Sequence, residues 1–324
     1  MAKLRRIGVM TSGGDSSGMN PCVRAVVRTA LSHDVEVYGI REGYAGMIRG
    51  EIIPMNARDV SGIIQQGGTI LRTARSLEFK TKKGQREGIR QMNEFGIDGL
   101  IVIGGDGSLT GAHVLAEQGV PVVGVPGSID NDIWGTSMSI GVDTALNTIL
   151  NAIDQLRDTA SSHQRAFLVE TMGRACGYLA VTAGITGGAE LVLTPEHKVT
   201  VEEVAKEVEM AYMRGKAHCI IVVAEGASLK CTELKDALDA MDVGFHTRVT
   251  ILGHIQRGGK PSAFDRLLAT RMGLAAVEAI LDGETDVMIG LQGQDMTTVP
   301  LADVIGRQRT INPEYLEMAH IMSL

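Results

Sequence analysis

Apolar residues recur along this chain in two alternating patterns. Short, mainly apolar runs, at residues 7–10, 35–40, 100–103, 121–125, 167–169, 191–193, 220–224, 248–252 and 287–291, read as buried strands. Between them lie stretches with helical spacing. Residues 142–157 carry apolar side chains at 142, 145, 146, 149, 152, 153 and 156, which places them on one face of a helix. Residues 82–95, 109–118, a glycine-rich stretch ending at 185, 231–240 and 264–281 read as further helices. Thr200 with Glu203 forms a capping box for a helix running to Arg214. Asn20 followed by Pro21 predicts an N-cap and first helical position. Residues 159–164 read as a polar connection carrying His163.

Strands that alternate with helices predict parallel sheets, and almost every strand is followed by a glycine-rich or charged loop. In such sheets the carboxyl ends of the strands line the ligand crevice. A chain of 324 residues is too long for one such unit. The expected fold is α/β: two Rossmann-like three-layer lobes with mostly parallel sheets and the active site in the cleft between them. There is no low-complexity linker and no short-period repeat.

Composition narrows the function. With 44% hydrophobic and only 3% aromatic residues, the cores are aliphatic, and the 16 methionines serve as filler. No apolar run approaches the roughly 20 residues of a membrane span. Residues 1–6 lead directly into a strand and leave no room for a signal peptide. Cys22, Cys176, Cys219 and Cys231 have neither C-x-x-C nor zinc spacing, which fits reduced thiols and a cytoplasmic location. A net charge of −7 and few stacking aromatics argue against nucleic acid. An acidic chain that binds anions must cluster its arginines.

The loops carry the candidate chemistry. Residues 126–132 place Asp130 and Asp132 two apart after a strand, with Asn131 between them. On an extended segment both would share a face and serve proton abstraction or cation binding; the competing reading is a turn whose side chains bond their own backbone. In the loop at residues 11–18, Gly13 and Gly18 have P-loop spacing, but Met19 stands where that motif needs Lys. Gly105, Gly107 and Gly111 resemble a dinucleotide turn, yet Asp106 inside it would repel a pyrophosphate. A Mg²⁺ ion converts that repulsion into a bridge, so the loop favours a nucleotide triphosphate with Mg²⁺.

Taken in order, residues 11–20, 104–108, 126–132, 162–165, 172–177 and 253–259 resemble the bacterial ATP-dependent 6-phosphofructokinases, the phosphofructokinase A family, over essentially the whole chain. The resemblance implies transfer of the ATP γ-phosphoryl group to the 1-hydroxyl of fructose 6-phosphate, the committed step of glycolysis. It implies Asp130 as the base, with Asp132, Arg75, Ser128 and Arg174 also in catalytic roles. Asp106 would hold Mg²⁺, and Gly14, Arg75, Ser76, Gly105, Asp106, Gly107 and Ser108 would line the ATP side. Ser128, Ile129, Asp130, Met172, Gly173, Arg174, Glu225, His254 and Arg257 would meet the sugar phosphate. Arg165 and Arg248 would come from a neighbouring subunit of a homotetramer. The implied lobes are residues 1–140 with about 255–305 for ATP and 141–254 with about 306–324 for the sugar phosphate. Neither a nucleic acid nor a membrane partner is implied.

The chain also departs from the family. Ser128 replaces the usual Thr, and Ser76-Leu77 replaces Phe-Pro beside the nucleotide. A pyrophosphate-dependent relative would carry Asp and Lys where Gly107 and Gly127 stand, and these glycines favour ATP by leaving room for its α-phosphate. A non-catalytic sensor of sugar phosphate or nucleotide has no need of Asp106, Asp130 and Asp132 together. A kinase for another acceptor has no need of Arg174, Glu225, His254 and Arg257. The family's effector pocket maps to Arg24, Arg28, Arg157, Glu190, Arg214 and Lys216. Charged positions of that pocket fall on Ala57, Gly62 and Ala217 here, which implies weak or altered response to purine diphosphates and phosphoenolpyruvate.

Overall fold

The computed structural model describes residues 4–323, and its chain divides into two units. The first comprises Met1–Ile129, Ile133–Thr144 and Arg257–Gln308; the second comprises Asp130–Asp132, Ala145–Gln256 and Arg309–Leu324. The sequence reading of residues 1–3 as a lead into the first strand falls outside the described residues.

The first unit is built on a seven-stranded sheet. Its strands are β1 (Arg6–Ser12), β2 (Glu36–Ile40), β3 (Ile52–Met55), β4 (Gly99–Gly104) and β5 (Val122–Pro126). The second unit supplies β6 (Arg165–Thr171), β7 (Leu191–Leu193), β8 (Cys219–Ala224) and β9 (His246–Ile251). The chain then returns to the first sheet with β10 (Val287–Gln292) and β11 (Asp295–Pro300). The order in the larger sheet is β11-β10-β5-β4-β1-β2-β3. The five strands from β10 to β2 are parallel, and β4 and β5 are buried along their whole length. That burial on both faces is why they read as continuous apolar runs.

Strand order reverses between β1 and β4, because the chain runs from β1 outward through β2 and β3, then restarts on the other side with β4 and β5. A reversal of this kind opens a crevice at the carboxyl ends of the two strands. The register pairs Ser12 with Gly104 and Gly104 with Pro126. The loops beginning at Gly13, Gly105 and Gly127 therefore leave the sheet side by side.

The second unit has a four-stranded parallel sheet in the order β7-β8-β6-β9. Leu168, Ile221, Val223, Val204, Val208 and Leu238 anchor one of its cores. Thr171 pairs with Ala224 and Glu170 with Ile251, so the loops after β6, β8 and β9 also emerge together.

Several local expectations change. The helix Met19–Ser32 starts one residue before the expected N-cap, with Gly18 as cap at a φ of 120°. Asn20 cannot cap because its buried amide donates to the carbonyls of Gln66 and Gly67 and accepts from Ile70 N–H. Asp106 lies in the first turn of the helix Asp106–Ala116 rather than in a loop. Residues 159–163 of the expected connection belong to the helix Val142–His163, where Ser161 and Ser162 bond back to the carbonyls of Arg157 and Asp158. The edge strands β3 and β11 are antiparallel and short or polar, with Pro54 in β3 where an edge tolerates it. Neither has the buried apolar run that marks the others.

Candidate active site

In the first unit, three strand ends deliver the glycine loops. Thr73 donates its hydroxyl to the carbonyl of Gly13, and Thr11 donates to that of Arg72. These bonds staple the segment carrying Arg75 and Ser76 to the loop after β1. Ser76 in turn accepts from Phe79 N–H and shapes the short turn Glu78–Lys80. Phe79 stacks on Tyr44 with ring centroids 4.0 Å apart, and the Tyr44 hydroxyl donates to the carbonyl of Ser108 at 2.6 Å. The start of the helix Asp106–Ala116 is thus held from beneath. Asp106, Gly107 and Arg75 are exposed, and Ser108 is buried.

The two glycines weighed for donor choice differ. A Cβ on Gly107 would meet nothing within 4 Å. One on Gly127 would meet Met19 at 3.2 Å and Ile103 at 3.4 Å. Only Gly107 opens into space; Gly127 is small because the core beneath it is full.

Arg257 stands in this unit as well. Its guanidinium rests against the loop after β1, so close that a Cβ on Gly14 would lie 2.3 Å from Nη1. It pairs loosely with Asp15 at 3.9 Å, and its buried Nε has no hydrogen-bond partner among the described residues. The family resemblance implies a sugar-phosphate role for Arg257, and nothing in the sequence signals this contact with Gly14.

The second unit gathers the acidic and basic pair. Asp130 is buried, with its side chain 2% exposed, and its Oδ2 lies 3.1 Å from Nε of Arg174, whose side chain is 55% exposed. Asp130 and Asp132 do not share a face by strand alternation: Asn131 adopts a φ of 54°, which breaks the extended segment. Asp130 is buried while Asp132 is half-buried.

Arg174 is placed by the loop after β8. Glu225 Oε1 accepts from the N–H groups of Gly173 at 3.2 Å and Arg174 at 2.7 Å. Lys230 donates to the carbonyl of Glu225. Gln256 accepts from Met172 N–H and donates to the carbonyl of Gly253, which fixes the turn bearing the exposed His254. Glu225 Oε1 is therefore committed to the backbone of 173–174. Gln256 has a positioning role that the sequence alone did not reveal.

Arg165 and Arg248 lie elsewhere. Arg165 begins β6 and Arg174 follows its end, which separates them by about 20 Å of strand. Arg165 pairs laterally with His246, and Arg248 is two residues along the exposed edge strand β9, so both arginines point to the same face of the sheet.

Of the effector candidates, Arg157, Glu190 and Lys216 come together in the second unit. Arg157 donates to the carbonyls of Gly187 and Gly188 and to Nε2 of His218. Glu190 accepts from Ile220 N–H and Lys216. Burial lowers the pKa of His218, favouring the neutral ring that accepts from Arg157 and donates from Nδ1 to Ser161. Arg214 is exposed near the end of its helix, and Arg24 and Arg28 sit on the helix Met19–Ser32 of the first unit.

All four cysteines are free and buried, and burial pushes the Cys176 thiol up to about 11, so none is a ready nucleophile. No helix among the described residues is long and apolar enough to cross a membrane.

Comparison with known proteins places the chain among phosphofructokinases. The chain is 51% identical over 321 residues to the ATP-dependent 6-phosphofructokinase of Thermotoga neapolitana, covering 99% of this chain and all of that protein. It is 50% identical over 322 residues to ATP-dependent 6-phosphofructokinase 1 of Thermus thermophilus, with the same coverage. Among solved structures it resembles the phosphofructokinase of Pichia pastoris in the T-state, with a TM-score of 0.89 and 41% identity. That match covers 94% of this chain and 38% of the longer yeast chain. The pyrophosphate-dependent phosphofructokinase of Marinobacter aquaeolei shares the fold at 22% identity, with a TM-score of 0.87 over 96% of this chain and 86% of that one. The family model described as Phosphofructokinase matches residues 6–280, so with the strand-end loops, the Asp130–Arg174 pair and relatives alike over their full length, this chain belongs to the phosphofructokinase family.

Proposed function

We propose that this protein transfers the γ-phosphoryl group of ATP to the 1-hydroxyl of fructose 6-phosphate, giving fructose 1,6-bisphosphate and ADP in glycolysis. The observation that carries the reading is the buried Asp130 carboxylate paired with Arg174 at the mouth of β6. Phosphoryl transfer needs positioning and charge neutralisation more than covalent chemistry. Asp130 takes the proton of the 1-hydroxyl as that oxygen bonds the γ-phosphorus and the bond to the ADP oxygen breaks. Arg174 pairs with Asp130 and faces the negative charge of the transferring group, with Ser128 and Asp132 orienting the acceptor. Met172, Gly173, Glu225 and His254 form the sugar-phosphate side, with Ile129.

The first unit is the nucleotide lobe in this reading, and the second the sugar-phosphate lobe. Gly14, Arg75, Ser76, Gly105, Gly107 and Ser108 take the nucleotide. The guanidinium of Arg257 resting beside Gly14 suits an anionic oxygen there. Asp106 fits a Mg²⁺ site: it is one exposed carboxylate beside open space at Gly107, and Mg²⁺ prefers one or two carboxylates with phosphate oxygens. When bound, the ion neutralises the donor phosphates. A coupled assay with fructose 6-phosphate, offering ATP with Mg²⁺ and pyrophosphate separately, tests the whole reading. Turnover is expected with ATP and not with pyrophosphate. No turnover with either donor would sink the function, and comparable rates would show that Gly107 does not set the choice.

Arg165 and Arg248 act on a neighbour's sugar site in a homotetramer. The support is the length of β6 between Arg165 and Arg174, and the place of Arg248 on the same sheet face as Arg165. A dissociated subunit is then expected to be nearly inactive. Light scattering with activity measured across a dilution series checks this, and a fully active monomer ends the idea.

Activation by ADP and inhibition by phosphoenolpyruvate are expected to be weak or replaced by another anionic effector. Arg157 and Glu190 already satisfy backbone and side-chain partners, and Ala57, Gly62 and Ala217 supply no charge. The location is cytoplasmic, in keeping with four reduced thiols.

A further inference from the structure

A buried carboxylate outside the chemistry described above joins two helix starts. Asp265 is fully buried in the first turn of the helix Ala263–Leu281. Its Oδ1 accepts from Gly141 N–H at 2.9 Å, and its Oδ2 accepts from Thr144 N–H at 2.8 Å and from the Thr144 hydroxyl at 2.5 Å. The partners lie 121 and 124 residues away in sequence, at the start of the helix Val142–His163. Ser262 caps the Asp265 helix, donates its N–H to Thr144 Oγ1 and its hydroxyl to Asp143. Two helix amino ends, each with unsatisfied N–H groups and positive dipole charge, are held together by an anion.

The same two segments embrace the loop after β1. Ser16 donates to the carbonyl of Ile140, the residue before Gly141. Ser17 bonds the carbonyls of Gly258 and Gly259, just after Arg257. The hydrogen bonds close a ring: from Ser16 to Ile140, through Gly141 and Thr144 to Asp265, back along 262–257 to Ser17. Gly14 and the Arg257 guanidinium resting on it lie at the rim of this ring.

We propose that Asp265 is a positioning residue for the phosphate-handling loops, fixing Arg257 and the loop of Gly14 against each other by closing this ring. Asp265 touches no substrate in this account, and its effect on catalysis rests on the phosphofructokinase reading. An amide in its place turns one acceptor into a donor. Either Gly141 or Thr144 then loses a partner for its buried N–H, and the ring opens.

The test compares Asp265→Asn, Thr144→Val and Thr144→Ser. Thr144→Val removes the hydroxyl that joins Asp265 to Ser262, whereas Thr144→Ser keeps it. Steady-state kinetics, with thermal unfolding to establish that each variant is folded, should show Michaelis constants for ATP and fructose 6-phosphate raised about tenfold in the first two variants, a modest case of the loss that misplacement by about 1 Å brings. Thr144→Ser should restore them. Amide exchange should quicken at residues 12–18 and 257–262 in the same two variants, with no substrate present. Wild-type Michaelis constants in folded Asp265→Asn or Thr144→Val overturn the proposal. If Asp265→Asn does not fold, the Thr144 pair decides. If the wild-type protein does not phosphorylate fructose 6-phosphate, the function fails separately, and exchange at the two loops alone decides: unchanged exchange overturns the positioning role, and local quickening upholds it.

Discussion

Asp130→Asn is expected to lower kcat by about 10²–10⁴-fold, the range for loss of a general base. An amide of nearly the same shape keeps the packing around this buried position but cannot take the proton of the 1-hydroxyl. It also removes the negative partner 3.1 Å from Arg174, leaving that guanidinium free to lean on an incoming phosphate. The Michaelis constant for fructose 6-phosphate should therefore stay the same or fall while kcat collapses. A loss in kcat without loss of ground-state binding marks a group needed in the transition state. Initial-rate kinetics with both substrates varied would decide this, and near-normal kcat would remove Asp130 as the base.

A second large effect is expected at a residue whose own side chain takes no part in the chemistry. Gly226 follows Glu225 in the loop after β8, and a Cβ there would lie 1.9 Å from the carbonyl oxygen of Arg174 and 3.0 Å from Pro195. Backbone oxygen cannot yield as a flexible side chain can, so in Gly226→Ala one of the two loops must move. The N–H bonds from Gly173 and Arg174 to Glu225 tie them to each other, which carries the shift to Arg174 and its pair with Asp130. A misplacement of about 1 Å costs about 10²-fold in such sites. We expect kcat/KM for fructose 6-phosphate to fall by about that factor. The Michaelis constant for ATP should change little, since in the proposed reading the nucleotide loops belong to the other unit. Thermal unfolding separates this result from a failure to fold. Kinetics like the parent's in a folded variant would show that the contact between the two loops does not set the site.

Much of this protein is legible in its sequence because the relevant physics is local. The central strands announce themselves as apolar runs, since a parallel sheet covered on both faces admits little else. The helix after Thr200 is legible from its capping box, which the structure contains with both reciprocal bonds. The loops beginning at Gly13, Gly105 and Gly127 stand out because glycines and carboxylates after buried strands have few other uses. Edge strands β3 and β11 are not legible, because one exposed side and a few polar residues leave no periodic signal.

The sequence by itself thus determined the α/β class, the strand-end loops and the residue types gathered there, all properties of neighbours along the chain. Tertiary structure decided what those residues face. It rotated Asn131 to a positive φ and so ended the simple alternation of Asp130 and Asp132. It set Arg174 on Asp130 through Glu225, which is 51 residues distant, and laid Arg257 on Gly14. It joined Asp265 to Gly141 and Thr144 across more than a hundred residues. It put Arg165 a full strand away from Arg174. Each of these depends on which strand lies beside which, and strand order is fixed by packing whole elements over a shared core; short-range pattern carries no record of it.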